Sequence, residues 1–449
     1  HVRSRRQRQM CIRDRFLTAA SATAAAALLA GCAPGAVPGS NATTLQFWHL
    51  LSGGDGVTMS QLLDAANAAQ SDYRIRPTVL AWGTPYYTKL AMAGAGGRAP
   101  DVAIMHATRT VGWAPGGLLD TWDLDRLADL GVDASTFPKP IWEKGFVGEN
   151  MYSVALDAHP FVAMFNTDIC DAAGVLDSDG RLQETSSPEE FLDQLRAIGG
   201  QAEGHALSYG YLGDGAQMWR LFYTFYSQHG SAMELPAGGK AVIDKDAAVA
   251  SLTLMRTLLD GEIALAQADY GSAVAEFATG KSGMLFSGVW ELRTMQAAEL
   301  PLDATMIPTL FGTPAVYADS HSFVLPHQTN ADPAKRDLTY RFVADMLKGS
   351  FGWAEAGHIP AFLPVTESPE YADLIPQANY AEAAQHVVYD PTAWFTGSGS
   401  SFQGEFGAAV QGVLLSGDDP AAAIDRFEAR VNTLLRQPNP ADPEGTFAS

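Results

Sequence analysis

Leu45-Gln46-Phe47-Trp48, Tyr73-Arg74-Ile75-Arg76 and Asp101-Val102-Ala103-Ile104-Met105 decide the fold class through what lies between them. The first and third runs are dominated by apolar side chains, and the second opens a strand from Tyr73 to Leu80 in which Arg74 and Arg76 alternate against Ile75 and the following Val79, the period of two that a strand requires. Met59 to Ala69 puts Leu62, Leu63 and Ala66 on one face of a helix, and Tyr86 to Ala95 forms a second helix stopped by Gly94, Gly96 and Gly97. Gly53-Gly54-Asp55-Gly56 reads as the loop ahead of the first helix. Strand, helix, strand, helix, strand within about 60 residues predicts an α/β fold with a parallel sheet and helical crossovers. Ligands of such sheets gather beyond the carboxyl ends of the strands, where Trp48 and His106 fall.

Further along, Tyr152 to Leu156 and Phe161 to Phe165 read as paired extended segments around Asp157-Ala158-His159-Pro160. After Asn166 the pattern turns helical, including a helix from Pro188 through Ile198, so a crossing into a second domain is expected there. Gly280 to Gly288 returns to a turn and strand, and His321 to Pro326 is another strand. Helices follow over Pro333 to Lys348 and Pro420 to Leu435. The predicted plan places residues 44–157 and about 321–360 mainly in lobe 1, about 166–320 mainly in lobe 2, 361–440 in C-terminal helices and a cleft segment packing across both, and 441–449 in a flexible tail. A chain that crosses more than once permits closure of two lobes on a ligand.

The N-terminus carries Arg3, Arg5, Arg6, Arg8, Arg13 and Arg15 ahead of a short apolar run, Phe16 to Leu29, and ends in Leu29-Ala30-Gly31-Cys32. This is the layout of a secretory leader, and the run is shorter than the roughly 20 apolar residues of a membrane-spanning helix. Residues 1–31 are expected to be removed as a lipoprotein signal peptide, leaving Cys32 to carry lipid and residues 32–43 as a Pro/Gly/Ser-containing tether. Without the leader's six arginines and one aspartate, 23 basic side chains face 49 acidic ones, a net charge of −26. Nucleic acid and anionic headgroups repel such a surface, so no nucleic-acid partner is expected and lipid must supply membrane attachment. Cys170 alone remains in the mature fold, which rules out an internal disulfide and places stability on large cores.

Nine tryptophans are present, and Trp48, Trp219, Trp290 and Trp394 lie near turns, glycine-rich segments or strand ends. A pyranose presents an apolar C–H face to stack on such rings and a belt of hydroxyls for planar or charged partners. Asp55, Arg109, Asp157, Asp214 and Glu291 occupy loops beside those rings, and Asp157 and His159 interrupt two apolar strands. Catalytic and metal motifs are missing. Paired carboxylates are inevitable among so many acids and point to no glycosidase. Gly397-Ser398-Gly399-Ser400-Ser401 lacks the strand of a nucleophile elbow, and Gly280-Lys281-Ser282 has only the last letters of a phosphate loop, with Ala275 at the position of its first glycine. The histidines, His49, His106, His159, His205, His229, His321, His327, His358 and His386, show no ligand spacing, so neither a metal nor a cofactor is expected.

With these features in place, the chain resembles the extracellular solute-binding lipoproteins of bacterial ABC sugar importers, the family that includes maltose-binding protein. The resemblance runs over residues 44 to 435 and rests on the order of Ala99-Pro100-Asp101-Val102, Gly116-Gly117-Leu118-Leu119, Tyr152 to Thr167, Gly280 to Trp290 and Ala356 to Ala361. It implies a periplasmic-binding-protein-like fold, two α/β lobes joined by a hinge with the ligand cleft between them, acting as a monomer that hands a sugar or oligosaccharide to membrane permease subunits. It implies sugar contacts at His106 and Arg109, at Asp157, at Asp214 and Trp219, at Trp290, and at Trp394 with Phe395 as its rival. The implied location is the outer face of the plasma membrane, or the periplasmic side in a Gram-negative cell. Trp48-His49-Leu50-Leu51-Ser52 departs from the acidic–basic pair associated with maltose, which leaves xylo-, cello- and manno-oligosaccharides open. A binder of glycerophosphodiesters on the same fold and a surface glycoside hydrolase are the alternatives.

Overall fold

The computed structural model describes residues 42–442. Cys32, the leader and nearly all of the tether lie outside the described residues. The opening elements are β1 (Thr43–His49), α1 (Gly53–Ala69), β2 (Tyr73–Val79), α2 (Thr84–Ala95) and β3 (Val102–His106). β1 runs parallel to both β2 and β3, as the alternation predicts. All five residues of β3 are buried, which matches its continuous apolar run. α1 starts earlier than its periodicity indicates, because Gly53-Gly54-Asp55-Gly56 is its first turn and not a loop. Gly53 enters that turn at φ +59°, a conformation that any side chain resists. The helix buries Thr58, Met59 and Leu63, with Leu62 and Ala66 half-covered.

β4 (Leu119–Asp120), β5 (Ser153–Ala155) and β6 (Asp157–Asn166) come next. They are followed by β7 (Leu207–Ser208), α3 (Gly215–Gln228), α4 (Tyr270–Ala278), β8 (Met284–Gly288), β9 (Leu302–Met306), β10 (Val316–Asp319) and β11 (His321–Pro326). The chain then forms α5 (Pro333–Lys348), α6 (Phe351–Glu355), β12 (Ile359–Pro360), β13 (Val387–Val388), α7 (Ser401–Ser416) and α8 (Pro420–Leu435). One sheet has the order β2-β1-β3-β11-β4, with β5 also on β11; the other has β13-β10-β6-β8-β7, with β9 and β12 also on β6. None of the helices among the described residues is long and apolar enough to cross a membrane.

The expected pairing around Asp157 to Pro160 does not form. β5 joins β11 in the first sheet, whereas β6 pairs antiparallel with β8, β9, β10 and β12 in the second. The chain therefore passes between the sheets at Leu156–Asp157 rather than after Asn166, and returns between Asp319 and His321. The polar letters of Asp157 and His159 look like a turn in sequence, but all ten residues of β6 are buried and Asp157 finds its partners inside. At this seam the Leu156 amide donates to the His321 carbonyl at 2.7 Å, and the Ala361 amide to the Leu156 carbonyl at 3.0 Å.

α7 packs on both α3 and α8, and the residues of α3 from Gln217 to Gln228 are all buried. Just ahead of α7, the Ser398 amide reaches Thr108 Oγ1 at 3.1 Å, so the C-terminal segment also touches the end of the first sheet. Trp219 is the centre of the helical core: it stacks on Tyr223 with centroids 4.7 Å apart and meets Phe402 and Phe406 edge-on. Its indole N–H donates to Asp390, which also accepts from Gln403 Nε2 at 3.1 Å. Burial, with the Asp319 carboxylate adding to it, pushes the Asp390 carboxyl up to about 7. A folded-state value above the unfolded value of about 4 means that ionisation opposes folding. The group's favourable contribution is therefore full below about pH 4 and is lost as pH rises through about 7. Asp390→Asn is expected to shrink the fall in melting temperature between pH 5 and pH 8; an unchanged fall in thermal denaturation would contradict this.

Candidate functional site

Where the carboxyl ends of the first sheet face α3 and α4 there is a cavity of about 450 Å³, within the size range of small-molecule sites. Its first wall is Leu50 to Asp55, from the end of β1 into the first turn of α1, with Trp82 and His106 beside it. The backbone N–H groups of a helix's first turn have no intrahelical acceptors, so this wall offers donors. His106 ends β3, and its Nδ1 shares a hydrogen bond of 2.7 Å with the Tyr87 hydroxyl. Burial, reinforced by His321 and His159, holds the His106 imidazole far below its usual pKa, so it stays neutral.

The opposite wall is built from one helical face and one turn. Asp214, Gln217 and Arg220 follow one another at the three-residue spacing that keeps side chains on one face of α3. Asp214 caps that helix, accepting from the amides of Ala216 and Gln217 at 3.0 and 3.1 Å. Gln217 is 1 % exposed and its Oε1 has no partner among the described residues; Arg220 is 9 % exposed and its Nε has none either. No carboxylate among the described residues pairs with Arg220, whose guanidinium lies 5.0 Å from the Trp290 ring centroid and 5.9 Å from that of Phe161. Trp290 donates from Nε1 to the Tyr270 hydroxyl at 2.8 Å, and that hydroxyl donates to Glu291 at 2.5 Å.

Behind His159 and His321, which line the cavity, lies a buried carboxylate. Asp157 Oδ1 accepts from the His321 amide at 2.8 Å and stands 3.0 Å from His159 Nδ1, while Oδ2 accepts from Trp353 Nε1 at 2.7 Å and stands 2.8 Å from His321 Nδ1. His358 Nδ1 comes within 3.1 Å of the same Oδ2, and its Nε2 is 3.0 Å from Asp55 Oδ1. Burial lowers the His358 imidazole's affinity for a proton, but Asp55 and Asp157 outweigh it and hold its pKa up at about 10. Burial opposes the charge on Asp157, yet the surrounding histidines keep its carboxyl well below the ordinary range. His159 is pushed down by burial and by His321. An imidazolium thus joins the acid on the cavity wall to the acid at the crossing between the sheets.

The sequence matches the model of the bacterial extracellular solute-binding proteins over residues 52–348, well over half of the chain. The chain belongs to that family. The solute-binding protein is accordingly a carrier that works outside the cytoplasm and not an enzyme. Among solved structures it is similar to the cyclic α-maltosyl-1,6-maltose binding protein of Arthrobacter globiformis, at 20 % identity and TM-score 0.68 over 88 % of this chain and 99 % of that one. It is similar to the GacH receptor of Streptomyces glaucescens, determined unliganded and with acarbose, at 18 % identity and TM-score 0.72 over 88 % and 99 %. UgpB of Mycobacterium tuberculosis, in complex with glycerophosphocholine, gives 16 % identity and TM-score 0.72 over the same shares. At such identities the likeness establishes the two-lobed fold. No curated protein matches the sequence.

Of the side chains singled out in the sequence, the cavity takes in Asp55, His106, His159, Asp214, Trp290 and Glu291. Trp48, Arg109, Asp157, Trp219 and Trp394 do not line it. Trp48 is half-covered against the core. Arg109 lies over the Tyr87 ring at 4.6 Å, and Trp394 packs edge-on against Phe395. Trp219 is five residues after Asp214, and at about 100° per residue it points roughly 200° from Gln217, into the core. Gln217 and Arg220 carry the matching signal: the face of the helix that Asp214 caps, read in steps of three. The scattered histidines are a further correction, since His159, His321 and His358 converge on Asp157.

Trp290 keeps its place because residue 288 has no side chain. A Cβ on Gly288 would lie 2.0 Å from the Trp290 ring, although the backbone there, at φ −82°, suits any residue. Gly288→Ala is therefore expected to cost about 1–3 kcal/mol, as overpacking does, and Trp290→Ala in the same chain to recover most of it. Urea unfolding of the single and double variants checks this, and absence of rescue would contradict the packing.

Proposed function

We propose that this solute-binding protein captures a sugar or oligosaccharide in the cavity between its lobes and delivers it to the permease subunits of an ABC importer. The observation that carries the reading is the α3 wall, where Arg220 Nε and Gln217 Oε1, without partners among the described residues, stand beside the Trp290 ring. A buried charge without a partner costs several kcal/mol. A ligand rich in hydroxyls supplies acceptors for Arg220 and donors for Gln217, Asp214 and Glu291, while its C–H face covers Trp290. Closure removes water from these hydrogen bonds and creates a form that a permease can distinguish from the open one. The relatives named for cyclic maltosyl-maltose and acarbose point the same way.

The pattern Leu29-Ala30-Gly31-Cys32 supports a diacylglycerol anchor at Cys32, on the outer face of the plasma membrane or the periplasmic side. Cys32→Ser should then move the protein from the membrane fraction to the soluble one; membrane retention would contradict the anchor. A second reading is a glycerophosphodiester ligand. Among the described residues Arg220 is the one arginine or lysine lining the cavity, and the glycerophosphocholine complex of UgpB shows the same fold.

A thermal-shift screen over xylo-, cello-, manno-, malto-, galacto- and fructo-oligosaccharides and glycerophosphodiesters separates the two readings. A shift with one glycan series, without hydrolysis, is expected, and a shift confined to phosphodiesters would replace the sugar reading. For the responding ligand, Trp290→Ala and Arg220→Ala should each weaken binding at least about tenfold, roughly 1.4 kcal/mol by calorimetry. Full affinity in both folded variants would contradict the assignment of this wall.

A further inference from the structure

Four side chains with no common sequence spacing meet where the chain passes between the sheets. Asp157 opens β6, His159 follows it on the same strand, His321 opens β11, and His358 immediately precedes β12. One donor atom from each lies within 4.8 Å of the other three. All four residues are nearly or fully buried, His321 being the most open at 5 %.

The carboxylate at the centre has more nitrogen neighbours than it can serve. Five nitrogens stand within 3.1 Å of its two oxygens: the amide and Nδ1 of His321, Nδ1 of His159, Nε1 of Trp353 and Nδ1 of His358. A carboxylate offers about four acceptor sites. The fifth nitrogen, His358 Nδ1, is buried and meets Asp157 Oδ2 only as an ion-pair contact at 3.1 Å, without a hydrogen bond among the described residues. The other nitrogen of that ring is engaged with Asp55 at 3.0 Å.

We propose that Asp157, His159, His321 and His358 form a site for a divalent transition metal, with Zn²⁺ the best fit. Three imidazole nitrogens and one carboxylate oxygen complete a closed tetrahedral set of the structural kind. Asp55 on the far side of His358 is the outer carboxylate that commonly orients a ligating histidine, and Trp353 Nε1 with the His321 amide holds the Asp157 carboxylate. On binding, His159 and His321 carry their protons on Nε2 instead of Nδ1, and the proton on His358 Nδ1 leaves to solvent. The ion would pin the seam between the two sheets, immediately behind the cavity that His159 and His321 line.

The test uses the purified protein without a polyhistidine tag, stripped with chelator and dialysed. Calorimetric titration with Zn²⁺ should show one site per chain and raise the melting temperature, and Co²⁺ should give the intense visible bands of a tetrahedral nitrogen–oxygen site. His321→Gln and His358→Gln should each weaken Zn²⁺ binding at least tenfold, while His327→Gln, on the surface, should leave it unchanged. If the first two variants do not fold, the Co²⁺ spectrum of the unaltered chain decides. The absence of saturable Zn²⁺ or Co²⁺ binding, a non-tetrahedral Co²⁺ spectrum, or binding that folded His321 and His358 variants retain would overturn the site.

Discussion

A fully buried carboxylate, that of Asp157, sits where the chain first leaves the first sheet for the second, and the surrounding architecture is arranged to keep it satisfied. Its partners come from β6 itself, from β11 on the return crossing, from α6 through Trp353 and from the turn before β12 through His358. A lone charge so placed would be unaffordable, and removing one partner of a buried pair typically costs about 3–5 kcal/mol. The three crossings are thereby fastened at one point, which fixes where the ends of the first sheet stand relative to β6. Since Asp55 reaches the same carboxylate through His358, the wall of the cavity belongs to this network and does not merely lie above it.

The cavity shows the opposite arrangement. Asp55 is tied to His358, Asp214 caps a helix and Glu291 accepts from Tyr270, so each acid has a partner within the protein. Arg220 and Gln217 are buried and keep polar atoms without partners among the described residues. Polar atoms left in this state weaken the unliganded protein and reward the ligand that completes them. The proposed mode of binding thus concentrates its energy on one face of α3 beside the Trp290 ring.

The first sheet was legible because its strands declare themselves by alternation or continuous apolarity and its helices by an apolar face, all within one short stretch. Two local errors share a cause: Gly53 to Gly56 and Asp157 to Pro160 carry loop-like letters, but the first is the opening turn of a helix and the second the start of a buried strand. Composition reports what a residue favours alone; burial overrode it in β6, whereas Gly53 to Gly56 stays exposed or half-covered and is helical as the opening turn of α1. Asp55, His106, Asp214 and Trp290 could be picked out because they stand at strand ends, caps and turns, where side chains are free to face a ligand. Trp219 misled because tryptophan suits both a sugar platform and a core, and only its angle on the helix separates the two. The Asp157 cluster was out of reach, since His321 is 164 residues from the carboxylate it bonds and no local pattern encodes that contact.

The central claim is that the ligand is held between the α3 face and the first turn of α1. A crystal structure with the best-stabilising compound from the ligand screen tests it most directly. The account predicts ligand density over the Trp290 ring, with Arg220 and Gln217 bonded to the ligand and Asp55 on its other side. Ligand density elsewhere, or an Arg220 guanidinium still without a ligand contact, would contradict it.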